Sequence, residues 1–138
     1  RDLHSFPTRR SSDLNAVLRA QRLQDKASRA GFDWPEISGV IAKVQEELDE
    51  LKVAMEGAAP NEIEQELGDL LFSLVNLARF LNLSAEDALR KSVARFTGRF
   101  RYMEQAVERG GRRLKEASPE EMNRLWEEAK ASGRRPFA

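Results

Sequence analysis

Apolar residues recur every three or four positions over most of this 138-residue chain, and no segment alternates as a β-strand would. One stripe, with steps of four, four, three and four, comprises Val40, Val44, Leu48, Leu51 and Met55. Such spacing places the side chains on one face of an α-helix. Because each helix must bury its apolar face, the sequence predicts an all-α fold, an antiparallel helical bundle.

Turn-forming residues divide the apolar pattern into five predicted helices. They cover residues 15–30, a segment after Pro35 that ends near Met55, and then residues 61–81, 84–109 and 118–132. Loops of only a few residues between such helices favour antiparallel neighbours.

Capping residues mark several of these helix ends. Ser12 or Asp13 is the expected N-cap of the first helix, and Ser118 with Glu121 is a predicted capping box for the last. Residues 1–14 are polar, lack periodicity and are interpreted as a foreign or disordered segment. One domain is therefore expected over residues 15–135.

The fourth predicted helix carries a regular apolar stripe that a single chain has few elements to cover. The stripe comprises Leu89, Val93, Phe96, Phe100, Met103 and Val107. We therefore expect the bundle to be completed by a second copy, in a homodimer or a higher even-numbered assembly.

Composition excludes several classes of function. The chain has no cysteine and its single histidine is His4, in the aperiodic segment, so thiol chemistry, disulfides and a Ser-His-Asp triad are not expected. Lys plus Arg equals Asp plus Glu, at 23 each, and no nucleic-acid-binding motif is present. With no signal-peptide pattern and no long apolar run, we expect a cytoplasmic protein without nucleic-acid or membrane partners.

The charges are segregated along the chain, and the acidic part contains two similar motifs. Glu47 and Glu50 are three residues apart on the second predicted helix, as are Glu66 and Asp69 on the third. Residues at this spacing share a helix face, and like charges held together there repel unless a cation intervenes. Oxygen ligands without His or Cys indicate a hard metal ion, Mg²⁺ or Mn²⁺. Glu46, within the same turn, joins Glu47 and Glu50 as a candidate catalytic carboxylate.

The basic part of the chain offers groups suited to phosphates. Arg95 and Arg99 are four residues apart on the fourth predicted helix, where two guanidinium groups on one face suit a run of phosphates. Trp126 and Lys130, also four apart, place a ring beside a cation that could stack a base and hold a phosphate. For the tryptophan, packing in the core is the more common role.

These residues resemble the MazG family of nucleoside triphosphate pyrophosphohydrolases, specifically the second of two tandem domains in the long bacterial form. The similarity extends over about residues 16–132. The matching segments are Phe32-Asp33-Trp34-Pro35, Gly39-Val40, Lys43-Val44 with Glu46-Glu47-Leu48-Asp49-Glu50-Leu51, Glu66-Leu67-Gly68-Asp69-Leu70-Leu71-Phe72 and Val75-Asn76-Leu77-Ala78-Arg79.

The resemblance implies an all-α, dimeric, Mg²⁺-dependent enzyme that cleaves nucleoside triphosphates to monophosphate and pyrophosphate. A metal-activated water would attack the α-phosphorus. The resemblance assigns the metal to Glu47, Glu50, Glu66 and Asp69. It assigns nucleotide handling to Arg95, Arg99, Trp126 and Lys130, with Arg95 standing where a lysine is common. Lys43 and Asn76, which flank the two acidic rows, complete the candidate substrate contacts.

Other readings of the acidic helices remain open. A related all-α pyrophosphohydrolase acting on phosphoribosyl-ATP or dUTP would carry similar motifs, and a non-catalytic helical interaction module would need no metal. A di-iron bundle is disfavoured because its Glu-x-x-His motifs require histidines that the predicted helices lack.

Overall fold

The computed structural model describes residues 15–133, so the candidate caps Ser12 and Asp13 lie outside the described part. Within it there are five α-helices and no strand, which confirms the all-α fold class. The helices are α1 (Ala16–Arg29), α2 (Ile37–Gly57), α3 (Pro60–Phe80), α4 (Ala85–Glu108) and α5 (Pro119–Gly133), with a short 3-10 turn at Leu114–Glu116. No helix among the described residues is both long and apolar enough to cross a membrane.

The helix ends are set by local hydrogen bonds. Asn15 is the N-cap of α1, and its Oδ1 accepts a hydrogen bond from the backbone N–H of Leu18 at 2.9 Å. Gly31 ends this helix with φ +96°, a left-handed conformation that favours glycine. At the end of α2 the left-handed residue is Ala58, with φ +54°. Pro60 then opens α3, where a missing N–H costs nothing.

Contacts divide the chain into two compact units, with the boundary between Ala88 and Leu89 inside α4. In the first unit α3 packs against both α2 and α1. Two residues, Ala58 and Ala59, separate α2 from α3, so these helices run antiparallel.

The buried face of α2 differs from the predicted stripe. Val40 and Ala54 are buried, as is the carboxylate residue Glu47, which is only 4% exposed. Leu48 and Met55, expected in the core, are 40% and 58% exposed. The buried face is therefore displaced toward Glu47 and Ala54 while Val40 stays within it, so a charged group lies where a leucine was expected.

The second unit has its own small core. Met103 and Val107 of α4 pack with Ala117 and Leu125, and Trp126 contacts the edge of this cluster. Other apolar residues of the α4 stripe, including Val93 and Phe96, are more than half exposed.

Only half of the predicted capping box at α5 forms. Ser118 Oγ accepts a hydrogen bond from the backbone N–H of Glu121 at 3.1 Å, as expected of an N-cap. The Glu121 carboxylate instead accepts two hydrogen bonds from Arg112. The Glu121 side chain therefore pairs with Arg112, whereas in a capping box it would bond back to Ser118.

Candidate functional site

Glu47 is the central residue of the candidate site, and it lies on the buried side of α2. Its Oε1 is 3.0 Å from the Lys43 ammonium, which is also 2.8 Å from Glu46 Oε2. The hydrogen bond to Glu46 and the weaker one to Glu47 raise the pKa of Lys43 above its usual range. This pairing satisfies one oxygen of Glu47, whereas its Oε2 is buried and has no hydrogen-bond partner among the described residues.

Two groups of carboxylates share Glu47. Oxygens of Glu47, Glu66 and Asp69 lie within 4.8 Å of one another, and so do oxygens of Glu46, Glu47 and Glu50. Like Glu47, Glu66 has a buried Oε2 that lacks a partner within residues 15–133. The structure thus brings the acidic rows of α2 and α3 together around one buried carboxylate.

The carboxylates of this cluster repel one another, and the effect falls on Glu50. The negative charge of Glu47, followed by partial burial and by Glu66, raises the pKa of Glu50 above its ordinary value. A buried oxygen without a donor is costly, and several in one place cost more unless a cation compensates them. The donor set consists of oxygen atoms alone, which fits a hard divalent cation such as Mg²⁺ or Mn²⁺.

An open groove of about 850 Å³ gives access to these carboxylates from one side of the α2–α3 pair. Glu50 and Glu66 line it near the cluster, and Asp49 and Glu62 extend its acidic wall. A ligand entering the groove would meet several carboxylates and no basic side chain among its lining residues. An anionic ligand would therefore need cations at this surface.

The predicted phosphate and base contacts lie in the second unit. The Arg99 guanidinium carbon lies 5.4 Å from the centre of the Trp126 ring, and the Phe96 ring is 5.5 Å from the same tryptophan. Arg95 is exposed on α4. Lys130 is partly exposed on α5, with its ammonium 3.7 Å from Glu127. The structure therefore brings Arg99 to Trp126 and gives Trp126 a packing role as well.

Two features of the first unit were not assigned a role from the sequence. Asp33, in the loop before α2, accepts two hydrogen bonds from the Arg79 guanidinium of α3 at 2.6 and 3.1 Å. Chiefly because of this bond, the pKa of Asp33 falls to about 2. Gln24 of α1 is buried, and its Oε1 lacks a partner among the described residues. A glutamine on the buried face of a helix is a signal that periodicity alone could have flagged.

Comparison with known proteins identifies a family for the segment that contains the acidic cluster. Residues 36–103 match the family model described as the MazG nucleotide pyrophosphohydrolase domain. This range includes the four carboxylates assigned to the metal: Glu47, Glu50, Glu66 and Asp69.

Three curated relatives show how far the similarity extends. The Thermotoga maritima protein named nucleoside triphosphate pyrophosphohydrolase/pyrophosphatase MazG is 49% identical over 115 residues, or 83% of this chain and 44% of the relative. An Escherichia coli K12 nucleoside triphosphate pyrophosphohydrolase is 40% identical over 119 residues, or 85% of this chain and 45% of its own length. The uncharacterized protein YabN of Bacillus subtilis is 43% identical over 79 residues, 56% of this chain and 16% of that protein.

The chain spans less than half the length of these relatives. The match nevertheless covers the helices that carry the acidic cluster. From the family match together with these identities, we conclude that the chain belongs to the MazG nucleotide pyrophosphohydrolase family.

Proposed function

We propose that this chain hydrolyses nucleoside triphosphates to nucleoside monophosphate and pyrophosphate with the help of a divalent cation, Mg²⁺ or Mn²⁺. The observation that carries the proposal is the pair of buried carboxylate oxygens, Glu47 Oε2 and Glu66 Oε2, that lack partners among the described residues. The names of the Thermotoga maritima and Escherichia coli relatives, both nucleoside triphosphate pyrophosphohydrolases, support the choice of substrate.

The carboxylates of α2 and α3 would hold the cation. Glu47 and Glu66 would each contribute the oxygen that lacks a hydrogen bond, and Asp69 and Glu50 would complete the set. A divalent cation bound there would supply Lewis acidity toward phosphate oxygens and promote ionisation of a water nucleophile. Its arrival would also relieve the repulsion that raises the pKa of Glu50.

The remaining carboxylate and lysine of α2 have separate proposed roles. Glu46 is exposed, and it is tied to Lys43 by a 2.8 Å contact. A phosphate that attracts Lys43 away would free Glu46, which with Glu47 and Glu50 is a candidate base for the attacking water. Lys43 would then contact the substrate.

Basic and aromatic residues of α4 and α5 are the proposed contacts for the rest of the nucleotide. Arg95 and Arg99 would offset negative charge on the leaving pyrophosphate. Trp126 and Lys130 are proposed on the family resemblance. The position of the Arg99 guanidinium over the Trp126 ring supports a defined orientation for that arginine.

The active form is proposed to be a homodimer. Leu67, Leu71 and Leu74 of α3 are 43–55% exposed, and Val93 and Phe96 of α4 are 56% and 55% exposed. Large apolar side chains in such number at a protein surface are typical of an interface. Light scattering should give twice the mass of the chain at micromolar concentration, and a stable monomer would contradict the proposal.

Product analysis tests the proposed reaction. The protein is incubated with Mg²⁺ and each common nucleoside triphosphate, as well as dUTP and phosphoribosyl-ATP, and the products are separated by chromatography. Monophosphate with pyrophosphate is expected from the nucleoside triphosphates, and a chelator should abolish their formation. Formation of diphosphate with orthophosphate would refute attack at the α-phosphorus. Turnover of phosphoribosyl-ATP alone would instead identify the chain as a phosphoribosyl-ATP pyrophosphohydrolase.

Thermal unfolding tests the cation independently of turnover. A ligand that binds only the folded state raises the melting temperature, so Mg²⁺ should do so in the absence of nucleotide. A non-catalytic helical interaction module would show no such effect.

A further inference from the structure

In the described part of the chain, Lys43 is the one basic residue that pairs with the carboxylate cluster of α2 and α3. Its ammonium lies 3.0 Å from Glu47 Oε1 and 2.8 Å from Glu46 Oε2. The carboxylates that share this single positive charge are Glu46, Glu47, Glu50, Glu66 and Asp69. The ammonium therefore compensates only a small part of the negative charge of the cluster.

The two partners of Lys43 have different surroundings. The side chain of Glu46 is 55% exposed, whereas that of Glu47 is only 5% exposed. Water can replace an ammonium at an exposed carboxylate, so the pair with Glu46 contributes little. A buried carboxylate that loses its partner instead bears the cost of an unpaired charge away from water. Glu47 therefore needs a cation beside it in every state of the site.

The second oxygen of Glu47 brings the lysine into conflict with the proposed metal. Glu47 Oε2 is buried and lacks a partner among the described residues, and it is a proposed ligand of the divalent cation. Because both oxygens belong to one carboxylate, an ammonium at Oε1 and a cation at Oε2 lie close together and repel. Burial leaves this repulsion poorly screened. While it stays at Glu47, Lys43 thus opposes the metal.

The Lys43 side chain is able to leave Glu47. It is 40% exposed, and its ammonium ends a flexible four-carbon stem. Both of its ion pairs are formed with residues of its own helix, so neither ties the ammonium to another element. A triphosphate beside the cluster would attract the ammonium. The move costs little once a divalent cation compensates Glu47 in its place.

We infer that Lys43 couples the binding of the divalent cation to the binding of the nucleotide. It neutralises Glu47 while no metal is bound, opposes a cation that arrives alone, and moves to the phosphates when cation and nucleotide are both present. The inference rests on the proposed function and extends it to the way in which the site rejects either ligand by itself. Because such coupling is reciprocal, the nucleotide tightens cation binding by the same factor as the cation tightens nucleotide binding.

The substitution Lys43→Met tests the opposition to the metal without nucleotide or turnover. Methionine keeps an unbranched apolar stem and removes the charge. In calorimetric titration of the metal-free protein, Mg²⁺ should bind about tenfold more tightly than to the wild type. The melting temperature without metal should fall, because Glu47 loses its partner. A lysine that only contacts substrate would leave Mg²⁺ affinity unchanged, and one that only supports the fold would lower it. Either result would overturn the inference.

An ATP analogue with a methylene bridge between the α- and β-phosphorus measures the coupling itself, because it resists cleavage at the proposed position. Its affinity is determined with and without Mg²⁺, and the ratio of the two affinities gives the coupling factor. In the wild type this factor combines direct contact between metal and phosphate with the release of Lys43. Only the direct contact remains in Lys43→Met, so the factor should fall by about tenfold. An equal factor in the two proteins would contradict the role of Lys43.

Lys52→Met is the matched control. Lys52 is exposed on α2, nine residues after Lys43, and therefore points to the opposite face of the helix. The substitution removes the same charge from the same helix, yet Mg²⁺ affinity and the coupling factor should stay at their wild-type values. Effects as large as those of Lys43→Met would assign them to the net charge of the helix and overturn the inference.

Lys43→Arg gives a second variant, one that keeps the charge. A guanidinium pairs with carboxylates through a planar fork, so it should hold Glu47 more firmly than the ammonium does. Mg²⁺ should therefore bind this variant more weakly than the wild type. If Lys43→Met does not fold without metal, this comparison decides the question. Mg²⁺ affinity equal to or above that of the wild type would then overturn the inference.

The outcomes separate this inference from the proposed reaction. If Mg²⁺ affinity decreases from Lys43→Met through the wild type to Lys43→Arg but no triphosphate is hydrolysed, the coupling stands and the reaction is refuted. If the wild type hydrolyses triphosphates while all three proteins bind Mg²⁺ equally, the reaction stands and the coupling is refuted.

Discussion

Two groups of acidic side chains, one in each unit of the molecule, have opposite surroundings. In the second unit Glu121 accepts two hydrogen bonds from Arg112. Glu128 of the same helix accepts from Tyr102 at 3.2 Å and from Arg124 at 2.7 Å. In the first unit Glu47 and Glu66 each keep a buried oxygen without a partner among the described residues.

The contrast separates charge that stabilises a fold from charge that awaits a ligand. Arg112 lowers the pKa of Glu121 through its hydrogen bonds, which is the sign of a carboxylate held in its charged form. The pKa of Glu50 is raised instead, which is the sign of a carboxylate whose charged form is disfavoured by its neighbours. Among the described residues, the buried carboxylate oxygens without a partner both belong to this cluster.

The largest expected effect tests the unpaired carboxylates. Glu66→Gln keeps the shape of the side chain but removes its charge, so triphosphate hydrolysis should fall by about a hundredfold to a thousandfold. The Mg²⁺-dependent rise in melting temperature should shrink with it. Kinetics and thermal unfolding in parallel measure both effects.

Glu64→Gln is the control for that experiment. Glu64 is exposed on the same helix, two residues away and on another face, so its loss should change neither quantity. Equal behaviour of the two variants would mean that the acidic cluster is an ordinary charged surface.

A smaller effect is expected from Arg99. Arg99→Ala removes a proposed charge-assisted contact to phosphate, so kcat/KM should fall by about tenfold to a hundredfold. The response of the melting temperature to Mg²⁺ should remain. Arg101→Ala, an exposed neighbour on α4, is the control. A lost Mg²⁺ response in Arg99→Ala would contradict the separation of phosphate and metal roles.

The Asp33–Arg79 pair is a paired charge in the first unit and should affect stability. Because the folded-state pKa of Asp33 is lowered to about 2, its contribution is present above the ordinary value of 3.8 and is lost as the pH falls toward 2. Asp33→Asn should therefore cost about 1–2 kcal/mol at pH 7 and almost nothing near pH 2. Urea unfolding across this pH range measures the difference, with Asp25→Asn of α1 as control. A cost independent of pH would assign the effect to packing.

The smallest effect is expected in the second unit. Arg124 is 59% exposed and pairs with Glu128 within one helix, and such surface pairs contribute little. Arg124→Ala should shift the melting temperature by less than about 2 °C and leave hydrolysis unchanged. A larger shift would show that the ion pairs of α5 are as important as the cluster of α2 and α3.

Helix boundaries could be predicted well because they depend on neighbouring residues. Gly31 at the end of α1 and Ser84 before α4 act within a few positions, and Ser84 Oγ accepts from the backbone N–H of Asp87 at 3.1 Å. The predicted local contacts were wrong where two alternative interactions were close in energy. Glu121 could turn back to Ser118 or pair with Arg112, and the ion pair formed instead.

The candidate carboxylates could also be predicted, since residues three apart share a helix face whatever the helix packs against. The surroundings of these carboxylates could not be predicted in this way. Periodicity placed Leu48 in the core, yet Glu47 is 4% exposed and Leu48 is 40% exposed. A rotation about the helix axis smaller than one residue decides between them, and the sequence of α2 is compatible with either.

Sequence by itself therefore determined the elements and their chemistry: five helices, two acidic motifs and the residues able to bind a hard cation. Those properties follow from interactions that reach no more than one helical turn. Tertiary structure alone decided that Glu47 is buried, that Asp33 meets Arg79 across 46 positions, and that Gln24 faces a cavity beside Asn76. Each depends on how whole helices pack, where the burial of many side chains outweighs the cost of leaving a few polar atoms without partners.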